Sequence, residues 1–166
     1  MMRINILKVF AAAFLLLGII NTSSAENLTP IGYWQTIDDK TAQVLSVVQI
    51  YAEKNGTLSG KIVEIMPVLG QKPTDLCTAC KDKLKDQPIL GMQIMWNMRQ
   101  DGNGSSAWVD GKVLDPKSGN VYSGKMTLME HAQQLKLRGY ILMPLLGRSE
   151  IWQRLPRRSD NEGGNG

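Results

Sequence analysis

Histidine occurs once in this chain of 166 residues, cysteine twice and phenylalanine twice. So few soft ligands leave a zinc site short of its usual four unless carboxylates complete it. A serine triad would have to be built around His131 with nothing to mark the nucleophile. Acids and bases nearly balance: the net charge is +4, and Arg3 and Lys8 of the first 25 residues contribute to it without an acid. The remainder carries about +2, which does not indicate nucleic acid. Long apolar runs are also missing, since the longest, residues 9–20, is shorter than the ~20 residues a membrane span needs.

What is present begins with an export signal. Arg3 and Lys8 lead into the apolar run, and Ser23-Ser24-Ala25 offers the small residues a signal peptidase reads. Residues 1–25 are therefore expected to be removed after Ala25, with the product in the bacterial periplasm or secreted. About 141 residues then remain, enough for one domain with its own core. That domain is expected over residues 26–155, with a disordered, glycine-rich tail at 156–166. An oxidising compartment makes Cys77 and Cys80 a disulfide before anything else.

The rest reads as short strands between turns. Candidate strands lie at residues 31–36, 45–51, 57–65, 89–98, 107–114, 121–130, 135–143 and 148–155, with no convincing helical stretch. Asn55-Gly56 signals a hairpin with a type I′ turn, and Asp115-Pro116 with Gly119 marks another corner. About eight antiparallel strands with one apolar face are best satisfied by closing into an up-and-down barrel, which removes exposed edges; a two-sheet sandwich is the alternative. Gly32 and Trp34 on the first strand and Arg148 and Arg154 on the last predict barrel closure, an arginine covering the indole face. Gly60-Lys61, Gly111-Lys112 and Gly124-Lys125 repeat within three strands, as bends of a curved wall would.

Residues 66–88 lack periodicity and hold the cysteine pair and a charged run, so this long loop is either functional or packed by its own staple. A disulfide across so small a ring contributes only ~2 kcal/mol by chain entropy, which makes shaping the loop its first use. A redox role near Lys81, Lys83 and Lys85 is second, lacking the strand-to-helix setting of thioredoxins. Haem attachment is opposed by Lys81 standing where a histidine belongs. Met92, Met95 and Met98 suggest cuprous ion, but on a regular strand Met95 points away from the other two. Met92, Trp96, Met98 and Trp108 are instead candidate lining of an interior that either holds a small apolar or amphipathic molecule or is filled by its own side chains. No cofactor, metal site or catalytic constellation is indicated, and Asp38, Asp39, Asp110 and Asp115 occupy positions that turns favour for acids.

The block Gln87-Pro88-Ile89-Leu90-Gly91-Met92, the corner Leu114-Asp115-Pro116, Arg138-Gly139-Tyr140, Leu145-Leu146-Gly147-Arg148 and Trp152 join Gly32-x-Trp34 and the Cys77-x-x-Cys80 loop in one pattern. Together they resemble the exported bacterial family catalogued as domain of unknown function 2147, over nearly the whole of residues 30–155. That resemblance implies a lipocalin-like, calycin-type barrel and brings no established activity. The sequence departs from the family pattern at His131-Ala132-Gln133, where a glycine turn is usual, and in its methionine-rich fourth strand. Three roles follow as expectations: first a binding barrel for a small ligand, then an envelope protein that meets a partner through residues 66–88, and last a redox or metal-handling protein acting through Cys77 and Cys80.

Overall fold

The structure is a computed structural model that describes residues 29–67, 76–102 and 104–156. The expected leader, the tail beyond Pro156 and residues 68–75 of the long loop lie outside the described residues. Eight strands, β1 (Gly32–Ile37), β2 (Val44–Ala52), β3 (Leu58–Ile65), β4 (Gln93–Gln100), β5 (Ala107–Asp115), β6 (Asn120–Met129), β7 (Gln134–Tyr140) and β8 (Gly147–Arg154), form a closed barrel in chain order. Every pairing is antiparallel, and the first strand meets the last through Trp34↔Arg154 and Gln35↔Gln153. Closure rules out the sandwich. Among the described residues the one helical element is a 3-10 turn at Asp82–Leu84.

Two local expectations are corrected. The β2–β3 hairpin is not a type I′ turn, because Gly56 has positive φ (81°) and Asn55 does not. The Gly56 amide instead donates to the Glu53 carbonyl at 3.0 Å, and the Asn55 side-chain oxygen accepts from the Thr57 amide and hydroxyl. A type I turn followed by a left-handed glycine is the next most common hairpin connection. The fourth strand starts at Gln93 rather than at residue 89, since Gly91 (φ 85°) and the Met92 amide, bonded to the Ile89 carbonyl, make a turn first.

The alternation of side chains decides what fills the barrel. Trp34, Val48, Ile50, Leu58, Ile62, Met126, Leu135, Leu137 and Trp152 are buried on the interior face. On β4 the regular period of two fails: Asn97 has φ 60° and is bulged out. Met95 therefore pairs with Gly60, and Met98 with Leu58. Both methionines are inside and fully buried, which corrects the expectation that Met95 points away.

The repeated glycines turn out to be sockets for those methionines. A Cβ on Gly60 would sit 3.0 Å from Met95 Cε, and one on Gly111 would sit 2.3 Å from Met98 Sδ. One on Gly124 would come within 2.6 Å of Met98 Cε. Unbranched thioethers thus fill the hollows that three glycines leave in the wall, while Lys61, Lys112 and Lys125, one residue on, face outward.

One end is sealed as the sequence predicts. The Arg154 guanidinium lies 4.3 Å from the centre of the Trp34 ring. It also donates from Nη1 to the Ile31 carbonyl at 3.1 Å, from Nη2 to Thr29 at 2.6 Å and from Nε to Ala132 at 2.5 Å. Trp34 Nε1 donates to the Pro30 carbonyl at 2.8 Å. Gly32, at φ 139°, leaves space for the guanidinium, since a Cβ there would touch Nη1 at 3.0 Å. One arginine therefore joins the chain entering β1, the face of the indole and the β6–β7 turn. Arg148 takes no part in this closure, standing six residues and roughly 20 Å along β8.

Candidate functional site

The opposite end carries the β1–β2, β5–β6 and β7–β8 turns and the long β3–β4 connection. Along β8 the period of two sets Arg148, Glu150, Trp152 and Arg154 on one face. Glu150 pairs with Leu137 and Trp152 with Leu135, both buried interior residues, so this face is the inner one. Trp152 is 2% exposed, yet Arg148 and Glu150 above it are exposed. Among the described residues, exposure on this inner face therefore ends at Trp152. The indole forms a floor, and its Nε1 donates to Glu150 Oε2 at 3.2 Å, which fixes the carboxylate against the wall.

Other interior positions at this level are apolar or hydroxylic. Val113 pairs with Tyr122 across β5 and β6, and Thr36 and Ser46 share a hydroxyl–hydroxyl hydrogen bond of 2.8 Å across β1 and β2. Met92 is buried at the mouth end of β4, its carbonyl accepting from the Ile62 amide at 3.0 Å. The rim is tied down by its turns. Asp38 accepts from the Thr41 amide and hydroxyl and from the Lys40 amide, and these bonds, the Thr41 amide first, hold its carboxyl below the usual aspartate range. Asp115 is bound in the same way by the Lys117 amide and the Ser118 hydroxyl. The arrangement puts one cation and one anchored anion on the inner face of a single strand, with apolar and hydroxyl groups on the other strands at this end.

The four lining residues expected from sequence do not share one surface. Met98 and Trp108 are interior but belong to the packed half, Trp108 pairing with Met126. Trp96 is outside: it pairs with the outward Lys112 and borders a shallow surface hollow with Glu53, Ser59, Leu84, Gln93 and Asn97. The cause is the Asn97 bulge, which turns Trp96 outward while keeping Met95 and Met98 in. Met92 alone of the four stands at the mouth. Arg148 and Glu150 were legible in the alternation of β8; the sequence reading grouped Arg148 with the wrong end.

Cys77 and Cys80 are joined in a disulfide with Cα atoms 5.3 Å apart. Both are buried, at 0% and 3% exposure, as are Ile94 and Leu114 of the same hydrophobic core, with Leu84 and Ile89 partly buried against it. Leu114 alternates with the inward Val113, so the stapled loop lies on the outer wall and covers it. It also grips the β5–β6 turn: Cys77 Sγ is 3.3 Å from the Pro116 carbonyl oxygen, and a Cβ on Gly119 would collide with the Ala79 backbone. Among the described residues no three His, Cys, Asp or Glu side chains group as a metal site would require. His131 stands in the β6–β7 turn at the sealed end.

With this geometry in view, comparison with known proteins places the chain. Residues 32–154 match the family model described as "Uncharacterized protein conserved in bacteria (DUF2147)". The chain belongs to DUF2147. Its span in this family, from the Gly32 strand to the Arg154 strand, coincides with the closed barrel. No curated protein matches the chain. Among solved structures it is similar to one described as "Protein HP1028 from the human pathogen Helicobacter pylori belongs to the lipocalin family". That likeness has a TM-score of 0.63 at 18% identity, covering 77% of this chain and 84% of the other. At that identity the likeness shows the fold: this DUF2147 member is a lipocalin-like barrel.

Proposed function

We propose that this protein is an exported, non-catalytic binding barrel that holds one small amphipathic molecule at its mouth. The acidic head of the ligand faces Arg148, and its apolar part lies on the floor and walls around Trp152, Val113 and Met92. The observation that carries this reading is the solvent-exposed Arg148 and Glu150 pair on the interior face, directly above a buried indole. A charge kept inside a barrel is costly unless a partner or water meets it, and a chamber with an apolar base and one convergent cation suits an amphiphilic acid. The lipocalin-like fold supports the same reading, since barrels of this size hold one small ligand. Export is supported by the pattern of residues 1–25, and N-terminal mass determination on protein from the envelope tests it.

The ligand test is a titration with a fluorescent long-chain carboxylate, alongside solvent extraction and mass spectrometry of the purified protein. Arg148→Ala is expected to weaken binding about tenfold, the effect of losing one charged hydrogen bond. Trp96→Phe, on the outer wall, is expected to leave binding unchanged. Equal affinity of Arg148→Ala and the unaltered protein removes the proposal.

A second reading, a partner contact through the long loop, is supported by its packing: Leu84 and both cysteines are turned to the wall, while Lys81, Asp82, Lys83, Lys85 and Asp86 are exposed. Charge reversal at Lys83 and Lys85 should abolish in-cell crosslinking to a partner if this face is used. Burial of both sulfurs opposes thiol exchange, which needs access to a sulfur atom.

A further inference from the structure

The β7–β8 loop holds six consecutive residues without a polar side chain, Ile141-Leu142-Met143-Pro144-Leu145-Leu146. A soluble loop of this length ordinarily tucks such residues inward; this one does the reverse. Leu142 is 89% exposed and Leu145 82%, with Ile141, Met143 and Leu146 all above half. Leu142 is also held at φ 65°, a conformation that a bulky side chain rarely takes.

The backbone of the loop is closed on itself. The Ile141 amide donates to the Leu146 carbonyl at 3.3 Å, Met143 to Ile141 at 2.7 Å, and Leu146 to Met143 at 3.0 Å. From the outer wall, Arg138 donates through Nε to the Pro144 carbonyl at 2.5 Å and through Nη2 to Leu145 at 3.2 Å, while Nη1 holds Ser149 at 2.8 Å. Most backbone polar groups of the loop are thus paired within the hairpin, the Leu142 and Leu145 amides and the Leu142 carbonyl being the exceptions, and the side chains project from it. That pairing lowers the cost of bringing the tip against a lipid interface, where headgroup water can meet the remaining groups.

The surface below the tip is cationic. Arg138 pairs with Lys125, Lys112 lies beside them through its bond to Ser123 at 3.2 Å, and Lys136 follows down β7. No acid occupies an outward position of β6, β7 or β8; Glu150 faces inward. The acids of this end lie on other elements: Asp38, Asp39 and Asp115 on the neighbouring turns, where Asp38 and Asp115 are bonded within their own turns, Glu64 at the end of β3, and Asp82 and Asp86 in the β3–β4 connection.

We infer that the β7–β8 tip docks this protein on a lipid surface carrying anionic headgroups: the five apolar side chains enter the interface, and Lys125, Arg138 and Lys112 meet the headgroups. A convex loop of six residues is too small to support a stable dimer, which needs roughly 800 Å² from each partner. Apolar insertion joined to a basic collar is the combination by which peripheral proteins hold to acidic membranes. The inference stands apart from the proposed ligand, because it uses the outside of the barrel.

Flotation with vesicles of phosphatidylcholine alone, or with phosphatidylglycerol added, tests it on the purified protein. All variants share one N-terminus, so differences between them read the tip. The unaltered protein is expected to float with the acidic vesicles and to bind neutral ones at least fivefold less. Leu142→Asp combined with Leu145→Asp should lose at least tenfold in binding, with unchanged thermal unfolding. Lys125→Glu should lose several-fold at low salt and little at high salt. A spin label on Leu142→Cys should gain oxygen accessibility over a polar nickel chelate when vesicles are added. Binding unaffected by the double substitution, no binding to acidic vesicles, or a concentration-dependent dimer that the double substitution dissolves would each overturn the inference.

Discussion

The two ends of the barrel use the same kinds of residue for opposite purposes. At the sealed end, Arg154 is met by an indole face and three backbone carbonyls; at the mouth, Arg148 on the same face of the same strand is open to water. Glycines beside the sealed half are filled by Met95 and Met98, whereas at the level of Glu150 the inner face of β8 is exposed. The sealed end therefore carries stability, and the mouth is free to vary its chemistry without unfolding the wall. Exposure of a charge on an interior face, rather than the charge itself, is what marks the candidate site.

That contrast breaks first at Arg154. Replacing it by alanine removes three charged hydrogen bonds and the cover over Trp34, and should cost about 3 to 5 kcal/mol in denaturant unfolding. Arg148→Ala, the matched change at the mouth, should cost under about 0.5 kcal/mol. Equal costs would abolish the distinction between the ends.

Next in size are the sockets. Gly124→Ala is expected to destabilise by about 2 to 3 kcal/mol through overpacking against Met98. Met98→Ala alone should cost about 2 to 4 kcal/mol by leaving a cavity. Because the two act on one space, the double variant should cost clearly less than their sum, a coupling that a double-mutant cycle measures.

Removing the staple by Cys77→Ser with Cys80→Ser should cost about 2 kcal/mol and raise protease cleavage near residues 77–90. Acidic-amphiphile binding should persist, since the loop lies on the outer wall. The smallest change concerns the β6–β7 turn, where Glu130, His131 and Ala132 all have positive φ, at 47°, 51° and 64°. Glycine relieves that conformation, so His131→Gly should stabilise by about 1 kcal/mol, seen as a rise of about 2 to 5 °C in Tm. A fall would mean that the histidine side chain makes a contact worth more than the backbone relief.

Much of this was readable in the chain. The strand count, their order and the Trp34–arginine closure follow from alternation, turn residues and the need to cover an indole. The departure at His131-Ala132-Gln133, which the family resemblance marked, falls on a turn in which Glu130, His131 and Ala132 are left-handed. The lining was not readable, because it depends on a bulge at Asn97 that shifts the parity of β4 by one residue. One such shift moves Trp96 to the outside and Met95 to the inside, and nothing in the composition of that strand announces it.

The role of the Gly-Lys repeats was half visible, as features of a curved wall. That the glycines receive methionines from another strand depends on which residues the register brings opposite one another. The β7–β8 tip illustrates the same limit. Its apolar run read as the end of one strand and a corner, and only the hydrogen bonds of Arg138 to the loop carbonyls show it held outward.

By itself the sequence determined that the described chain is an antiparallel barrel sealed by Trp34 and an arginine, with Cys77 and Cys80 near enough to pair. Those features rest on local periodicity and on chemistry that a few residues carry alone. Tertiary structure decided which arginine seals and which is exposed, which methionines are inside, and where the inner face of β8 becomes exposed. Each of these depends on register and bulges, which arise from the fit between strands distant in the chain.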